Sequence, residues 1–267
     1  MSPGLKRELT VLWGFVERNF ALAKRYIGWE VVFLTFNAVN AITIGLIGVA
    51  TGDPNLVLFL VIGALMWGFL SLLFDELAFS IVWERWEGTL EYTMMAPIRR
   101  STHMLGTCLW GILYGLLRAT VVIMLLLLFF NLSLPGANVL GAFAVMLASS
   151  VAFIGLGLLA AVLPMLSPER GAQAADILQA VILLFSGVYY RLEALPEWMQ
   201  AASSVSPATY TLRAVRAALL EGAGWDRILP DLVTVLLIGA VLVPVGAITF
   251  AITERWAKKT GKLKRSG

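Results

Sequence analysis

Charged residues that interrupt an otherwise apolar chain are the first candidates for chemistry. The segment Glu84-Arg85-Trp86-Glu87-Gly88-Thr89-Leu90-Glu91, closed by Pro97 and by Arg99-Arg100, lies between two long apolar runs. Carboxylates and guanidinium groups at this density cannot face hydrocarbon, so the segment must lie in water at one membrane face. Its Gly-Thr step and its proline predict a short surface helix with a defined end. An element of this kind, held between two membrane helices, is suited to transmit a conformational change from a soluble partner to those helices.

A second group of charged residues lies inside the apolar runs. Asp75 and Glu76 precede Glu84 by about eight residues, which at ~1.5 Å per residue places them ~13 Å into the membrane. Arg118 lies near the middle of the next apolar run. Charges that face lipid at such depths cost several kcal/mol, so all three should face protein or a water-filled space. We predict a salt bridge between Arg118 and Asp75 or Glu76, with a role in substrate passage or gating as the alternative.

Uncharged polar residues recur on the first apolar run. Asn37, Asn40 and Thr43 follow one another at a spacing of three, so they lie along one side of a helix. They can line a path or form hydrogen bonds between helices, and helix packing is the preferred interpretation. The single histidine, His103, excludes a histidine-based metal or catalytic cluster, and the single cysteine, Cys108, excludes an intrachain disulfide.

The composition defines the environment of these residues. The chain has 267 residues, of which 59% are hydrophobic and 14% are charged, whereas soluble domains carry about 25% charged residues. Most of the surface must therefore face lipid, and the length allows about six membrane helices of ~20 residues without a separate soluble domain. We expect no removable signal peptide at the start. The net charge of +3 comes largely from the flanks of the apolar runs, so it predicts membrane orientation and no nucleic-acid binding.

The pattern along the chain predicts an all-α integral membrane fold. Residues 1–28 form an amphipathic helix with basic flanks, which is expected to lie in the membrane interface or to pack on its own protein. Residues 29–267 form a six-helix transmembrane domain. Its predicted spans are 30–50, 56–83, 103–131, 138–164, 173–190 and 230–253. Between the fifth and sixth spans, region 191–229 is predicted to hold two short helices, started by Pro196 and Pro207, on the outer side. Segment 84–100 and the basic tail 254–267 face the cytoplasm.

The distribution of lysine and arginine sets the predicted orientation. With both termini in the cytoplasm, the inner segments hold 15 of these residues. The two short outer turns predicted from their residue types, Gly52-Asp53-Pro54-Asn55 and Leu134-Pro135-Gly136-Ala137-Asn138, hold none. Region 191–229 holds four, but four acidic residues balance them and longer loops follow the rule less strictly. The inverted orientation would place those 15 lysines and arginines on the outer side, against the rule that they favour the cytoplasmic side.

These residues together resemble the permease subunit of type-2 ABC exporters. Residues Glu84, Arg85, Gly88, Thr89, Leu90 and Glu91, followed by Pro97, are similar to that family's cytoplasmic coupling element between the second and third spans. Leu195-Pro196 and Ser206-Pro207-Ala208-Thr209-Tyr210 are similar to its pattern after the fifth span. The resemblance covers nearly the whole chain, and the combination of these features is more specific than either motif alone.

The resemblance implies a location in the plasma (cell inner) membrane and a set of partners. Two copies of an ABC ATPase subunit would bind ATP and magnesium, and a second permease, identical or different, would complete a dimer around the path. This sequence has no phosphate-binding loop, because Gly261-Lys262-Leu263 lacks the upstream glycine and the hydroxyl, so hydrolysis and cofactors are expected on the partner. Candidate ATPase contacts are Glu84, Arg85, Glu87, Glu91, Arg99 and Arg100.

Two other classes of function stay open at this point. A self-sufficient ion-coupled carrier or channel would use Asp75, Glu76 and Arg118, but internal repeats that would favour it are not evident. A membrane enzyme would need a cluster of acid, base or metal groups, and the sequence offers only scattered charges. The apolar helices, with few deep charges, favour a hydrophobic or amphipathic substrate, drug-like or lipid-like.

Overall fold

The computed structural model describes residues 3–95, 100–167 and 170–260, and within these ranges the chain is α-helical with no strand. The helices in chain order are α1 (Pro3–Arg25), α2 (Ile27–Thr51), α3 (Pro54–Ala78), α4 (Ser80–Glu87), α5 (Leu90–Met95), α6 (Arg100–Phe129), α7 (Val139–Leu166), α8 (Gly171–Phe185), α9 (Glu197–Ser203), α10 (Pro207–Leu220) and α11 (Trp225–Lys259). A single 3₁₀ turn, Leu192–Ala194, precedes α9. The predicted all-α fold is therefore confirmed for the described part of the chain.

Five of the described helices are long and apolar enough to cross a membrane. They are α2, α3, the part of α6 from Thr102, α7 and α11. The predicted fifth span, 173–190, is instead the 15-residue helix α8, which at ~1.5 Å per residue is shorter than the ~30 Å hydrocarbon layer. It ends early because Gly187 adopts a left-handed conformation, with φ of 65°.

Turn chemistry defines several helix ends, as the sequence predicts. Gly52 closes α2 in the left-handed region at φ 72°, and the Asp53 side chain accepts a hydrogen bond from the Asn55 amide at the start of α3. Asn138 caps α7 by accepting the Gly141 amide at 2.8 Å. The same side chain donates to the Ala223 carbonyl at 2.9 Å, so one residue ties α7 to the turn before α11.

Two predicted spans have different lengths in the structure. The predicted helix 56–83 is interrupted at Phe79, whose amide closes α3 by donating to the Asp75 carbonyl before α4 begins. The last helix, α11, is longer than the predicted 230–253 and continues through Pro230 and Pro244. A proline in a helix interior removes one hydrogen bond, but the flanking turns remain helical here.

Helices α3 and α7 form the centre of the fold. Buried side chains of α3 include Met66, Leu70 and Phe74, and α7 contributes Val145 and Phe153. Both helices are buried on most sides, and this explains why their sequences are apolar on every face rather than amphipathic.

Small residues allow the closest helix approaches. An added Cβ at Gly155 would lie 2.6 Å from the Cβ of Leu242, and one at Gly246 would lie 2.8 Å from the Gly155 carbonyl oxygen, so glycines seat α11 against α7. Gly111 and Gly115 of α6 face Glu76 and Phe69 of α3 within this chain. This pair therefore serves packing between α3 and α6.

Helix α1 lies against the start of α6. A Cβ at Gly106 would meet the Phe15 side chain at 2.7 Å, and Val16 is buried, whereas Trp13 and Phe20 stay exposed. The predicted apolar face is thus divided, with one part packed on the protein and the other uncovered. Amphipathic packing and interface binding are both compatible with this arrangement.

The long helices place the remaining elements at two ends of the molecule. At one end, Met104 of α6 packs beside the ends of α7 and α11, in a cluster with Met165 and Ala257. Helices α1, α4 and α5 adjoin this end. At the other end, the Asn138 amide donates to the Ala218 carbonyl at 2.8 Å, which joins the turn before α7 to α10.

Candidate functional site

A cavity of about 870 Å³ opens among α2, α3 and α6. Its wall combines aromatic rings with polar and charged groups. The lining residues are Glu30, Phe33, Phe36, Asn37, Asn40, Ala41, Ile44, Ala64, Trp67, Gly68, Ser71, Leu72, Asp75, Glu76, Phe79, Val82, Trp83, Tyr114, Arg118, Ala172 and Tyr189. Ala172 lies at the start of α8 and Tyr189 lies beyond its end, so the cavity extends along this helix over ~20 Å.

The polar residues that the sequence singles out within the apolar runs meet in this cavity. Asn37 and Asn40 from α2, Asp75 and Glu76 from α3, and Arg118 from α6 all line it. Asn37 also donates to the Phe33 carbonyl of its own helix at 2.8 Å. The amides and the charged groups therefore face a shared space, as expected from the cost of placing charge in hydrocarbon.

The predicted salt bridge between Arg118 and Asp75 or Glu76 is not formed as a direct ion pair, although Arg118 lies near enough to Glu76 for electrostatic attraction. Arg118 instead donates to the Tyr114 hydroxyl at 3.4 Å, and Tyr114 in turn donates to the Glu30 carboxylate. Arg118 and Tyr114 lie one turn apart on α6, and the Tyr114 hydroxyl reaches the Glu30 carboxylate on α2. A chain of polar groups thus connects α6 with α2.

The two carboxylates of α3 have different surroundings. Asp75 accepts a hydrogen bond from the Gln179 side chain of α8 at 3.1 Å, and the same amide lies 3.4 Å from the Ser71 carbonyl. Glu76 makes no hydrogen bond or ion pair with the described residues, and it borders the cavity. Neither carboxylate is neutralised by a direct cationic partner in the described part of the chain.

Sequence reasoning missed Glu30, Tyr114 and Gln179 as members of this network. A usable signal existed for Tyr114, because it stands four residues before Arg118 and therefore shares its helix face. Glu30 opens the first apolar run, and its inward orientation depends on helix rotation, which the sequence does not specify.

The charged segment after α3 forms two short helices separated by a sharp turn. Gly88 has φ of 73°, a conformation that favours glycine. The Thr89 amide then donates to the Glu84 carbonyl at 2.9 Å, as in a Schellman cap. The Gly-Thr step is therefore a turn at which α4 ends before α5 begins, so the segment holds two short helices where the sequence predicts one.

Glu84, a predicted contact to an ATPase, points into the protein. Its residue exposure is 6%. Its Oε1 lies 3.5 Å from Nη1 of Arg18 on α1 and 3.4 Å from Nε2 of His103 on α6. Burial raises the pKa of Glu84, but the imidazole and the guanidinium outweigh it and hold the pKa below its ordinary value of 4.5. Glu84 thus joins three elements of the same chain.

The exposed part of the segment lies further along. Glu87 is exposed, and so are Tyr92 and Met95 of α5, with 74% and 73% of their surfaces accessible. The side chains of Arg85, Leu90, Glu91 and Arg100 lie outside the described part of the structure. The same holds for Pro97 and Arg99.

The cavity and the charged segment share a helix. Val82 and Trp83 of α4 line the cavity, and they directly precede Glu84. Phe79, at the bend between α3 and α4, lines it as well. A displacement of α4 would therefore change the shape of the cavity without an intermediate element.

Region 191–229 contains the predicted pair of short helices, α9 and α10. Arg216 of α10 donates to the carbonyls of Gly187 at 2.9 Å and Phe59 at 3.3 Å, and its guanidinium carbon lies 3.5 Å from the centre of the Phe59 ring. Burial lowers the pKa of Arg216 to about 9, so the group remains charged at neutral pH. A bidentate ion pair of Arg213 with Asp231 fixes α10 to α11.

No group of His, Cys, Asp or Glu side chains in the described ranges has the arrangement of a metal site. Five apolar helices, a cavity among three of them and a charged segment next to it are the features of a multi-pass membrane protein. The sequence profile of the ABC-2 type transporter family matches residues 10–220, and the chain belongs to this family.

A curated relative is consistent with this assignment. The chain is 25% identical over 213 residues to ABC transporter G family member 20 of Dictyostelium discoideum. The match covers 78% of this chain but 28% of that relative, so this chain corresponds to a minor part of the longer protein.

Proposed function

We propose that this chain is the membrane-spanning permease subunit of an ATP-driven ABC exporter. It forms part of the path for a hydrophobic or amphipathic substrate, drug-like or lipid-like. Two copies of a separate ABC ATPase bind ATP and magnesium, and a second permease, identical or different, completes the path. In this arrangement the chain crosses the plasma membrane six times, with α8 and the residues that follow it to Tyr190 as the fifth crossing and both termini in the cytoplasm.

The observation that carries this proposal is the continuity between the charged segment and the cavity. Val82 and Trp83 belong to α4 and also line the cavity. A partner that moves α4 therefore acts on the wall of the cavity directly. Membership of the ABC-2 type transporter family supplies the expected source of that movement, an ATPase that changes shape as it binds and hydrolyses ATP.

The inward orientation of Glu84 refines the assignment of roles within segment 84–100. Its contacts with Arg18 and His103 fix α4 to α1 and α6, so Glu84 transmits movement rather than touching the ATPase. Exposed residues such as Glu87, Tyr92 and Met95 are available to a partner. Arg85, Glu91, Arg99 and Arg100 remain candidate contacts from the sequence.

The substitution Glu91→Lys tests this function. We expect the variant to insert and to bind its ATPase partner, while transport falls at least tenfold and ATP hydrolysis continues. The assay is ATP-dependent efflux from proteoliposomes, with ATP hydrolysis measured in parallel. The matched control is Glu193→Lys, an exposed carboxylate in region 191–229, which should behave as wild type. Normal ATP-driven transport by Glu91→Lys would contradict the assignment of the coupling segment.

A further inference from the structure

The charge of the cavity wall carries an inference about what the cavity binds. Three carboxylates, those of Glu30, Asp75 and Glu76, line it together with one guanidinium, that of Arg118. Ionised, they leave a formal excess of negative charge within an apolar bundle. Charge without a counter-ion is costly in such an environment, so a cation that enters the cavity is stabilised there.

The hydrogen bonds show where this negative charge is available. Arg118 and Glu30 both engage the Tyr114 hydroxyl, so this carboxylate and the guanidinium are linked through a neutral group. Asp75 has the neutral amide of Gln179 as its hydrogen-bond donor. Glu76 lines the cavity and has no direct hydrogen bond or ion pair among the described residues, and Arg118 attracts it only from a greater distance. Two neighbouring carboxylates therefore face this space without a direct cationic partner.

The rest of the wall selects for an organic cation. Trp67, Trp83, Phe33 and Phe36 line the same cavity, and aromatic faces attract cations while they pack against apolar groups. A bare metal ion would need several oxygen ligands in close geometry, and the described residues hold no such cluster. The cavity of about 870 Å³ has the size of a site for a drug-sized ligand.

We propose that the substrates of this permease are lipophilic organic cations, in which a positive charge pairs with Asp75 and Glu76 and an apolar body lies against the aromatic wall. This inference rests on the proposed function, because it names the substrate class of that same path. It makes Asp75 and Glu76 specificity-determining residues and gives Arg118 the opposite role, that of limiting the affinity for cations.

Equilibrium binding to the purified full chain in lipid nanodiscs tests this proposal without an ATPase. The probes are tetraphenylphosphonium and tetraphenylborate, which share size and shape and differ in the sign of their charge. Empty nanodiscs give the partition of each probe into lipid, which is subtracted. We expect saturable binding of tetraphenylphosphonium, at least tenfold tighter than any saturable binding of tetraphenylborate.

Two substitutions give opposite expected results. Glu76→Gln should weaken binding of tetraphenylphosphonium about tenfold, the loss of one charge pair, whereas Arg118→Gln should strengthen it several-fold. The matched control Glu193→Gln removes an exposed carboxylate outside the cavity and should have no effect. Arg118→Gln keeps the test decisive if Glu76→Gln fails to fold.

Equal binding of both probes, a preference for tetraphenylborate, or affinities unchanged in Glu76→Gln and Arg118→Gln would overturn the proposal. Such a result would leave ATP-driven export intact, since that function is measured separately by ATP-dependent efflux. Conversely, selective binding of the cation without ATP-dependent transport would contradict the proposed export function and support the proposed cation site.

Discussion

At the scale of single residues, Glu84 is central because it connects the charged segment to its neighbouring helices. It holds α1, α4 and α6 together through Arg18 and His103. We expect Glu84→Gln to lower the free energy of unfolding by about 1–3 kcal/mol at pH 7, the usual loss for a hydrogen bond to a charged group. The matched control is Glu87→Gln, because the Glu87 side chain is exposed.

The pH dependence of this effect follows from the pKa of Glu84. The folded state holds that pKa below its ordinary value of 4.5, so the stabilisation is fully present above pH 4.5. It is lost as the pH falls through the lower, folded-state value. The difference in unfolding midpoint between wild type and Glu84→Gln, measured from pH 7 to pH 3.5 in detergent, should therefore shrink at the acidic end. A constant difference would contradict the ion pair.

The residue types predicted which residues line the cavity, but they did not predict which partners those residues contact. Asn37, Asp75, Glu76 and Arg118 were identified because buried polar groups in a membrane chain need a shared polar space. The pairing of Arg118 failed because depth along a helix is readable from sequence, whereas rotation about its axis depends on packing with neighbours. Glu84 was misplaced for the same reason, since a charged segment in water can still bury one of its members.

At the scale of helices, the contact between α7 and α11 depends on glycine. An added Cβ at Gly155 would meet Leu242 Cβ at 2.6 Å and the Leu242 carbonyl carbon at 2.7 Å, so the backbone must shift. We expect Gly155→Ala to destabilise the protein by about 1–3 kcal/mol. Thermal unfolding of the purified chain in detergent measures this loss.

Gly28 provides the control for that substitution. It also lies in a helix, but an added Cβ there meets nothing within 4 Å. Gly28→Ala should be neutral or slightly stabilising, because alanine favours the helix. Equal behaviour of the two variants would show that close approach at Gly155 does not determine the packing.

Helix existence was predictable and helix length was less so. The turns at Gly52-Asp53 and Asn138 were read correctly because glycine, aspartate and asparagine have specific roles at helix ends. The apolar pattern continued past Phe79 and past Phe185, yet both positions end a helix. Apolar composition reports burial or contact with lipid and does not record such interruptions. Pro230 and Pro244, conversely, did not end α11.

At the scale of the whole molecule, the two ends carry different elements, which allows a test of the proposed orientation. Cys108 is buried, and it can be replaced by serine before single cysteines are introduced. We expect Glu193→Cys to react with a membrane-impermeant maleimide in intact cells. Lys259→Cys should react only after the cells are permeabilised.

If Lys259→Cys reacted in intact cells and Glu193→Cys did not, the orientation would be the opposite of the one proposed. It would also place segment 84–100 on the side without ATP. The distribution of lysine and arginine argues against that arrangement, since the inner segments hold 15 of these residues.

The central claim is that this permease works with an ATPase on another chain. The most direct measurement is purification of the tagged chain from its native host in mild detergent, with mass spectrometry and an ATP hydrolysis assay on the eluate. We predict a co-purifying protein with a phosphate-binding loop and ATPase activity that Glu91→Lys retains. A chain that is fully extracted, transports its substrate alone and depends on an ion gradient rather than ATP would contradict the account.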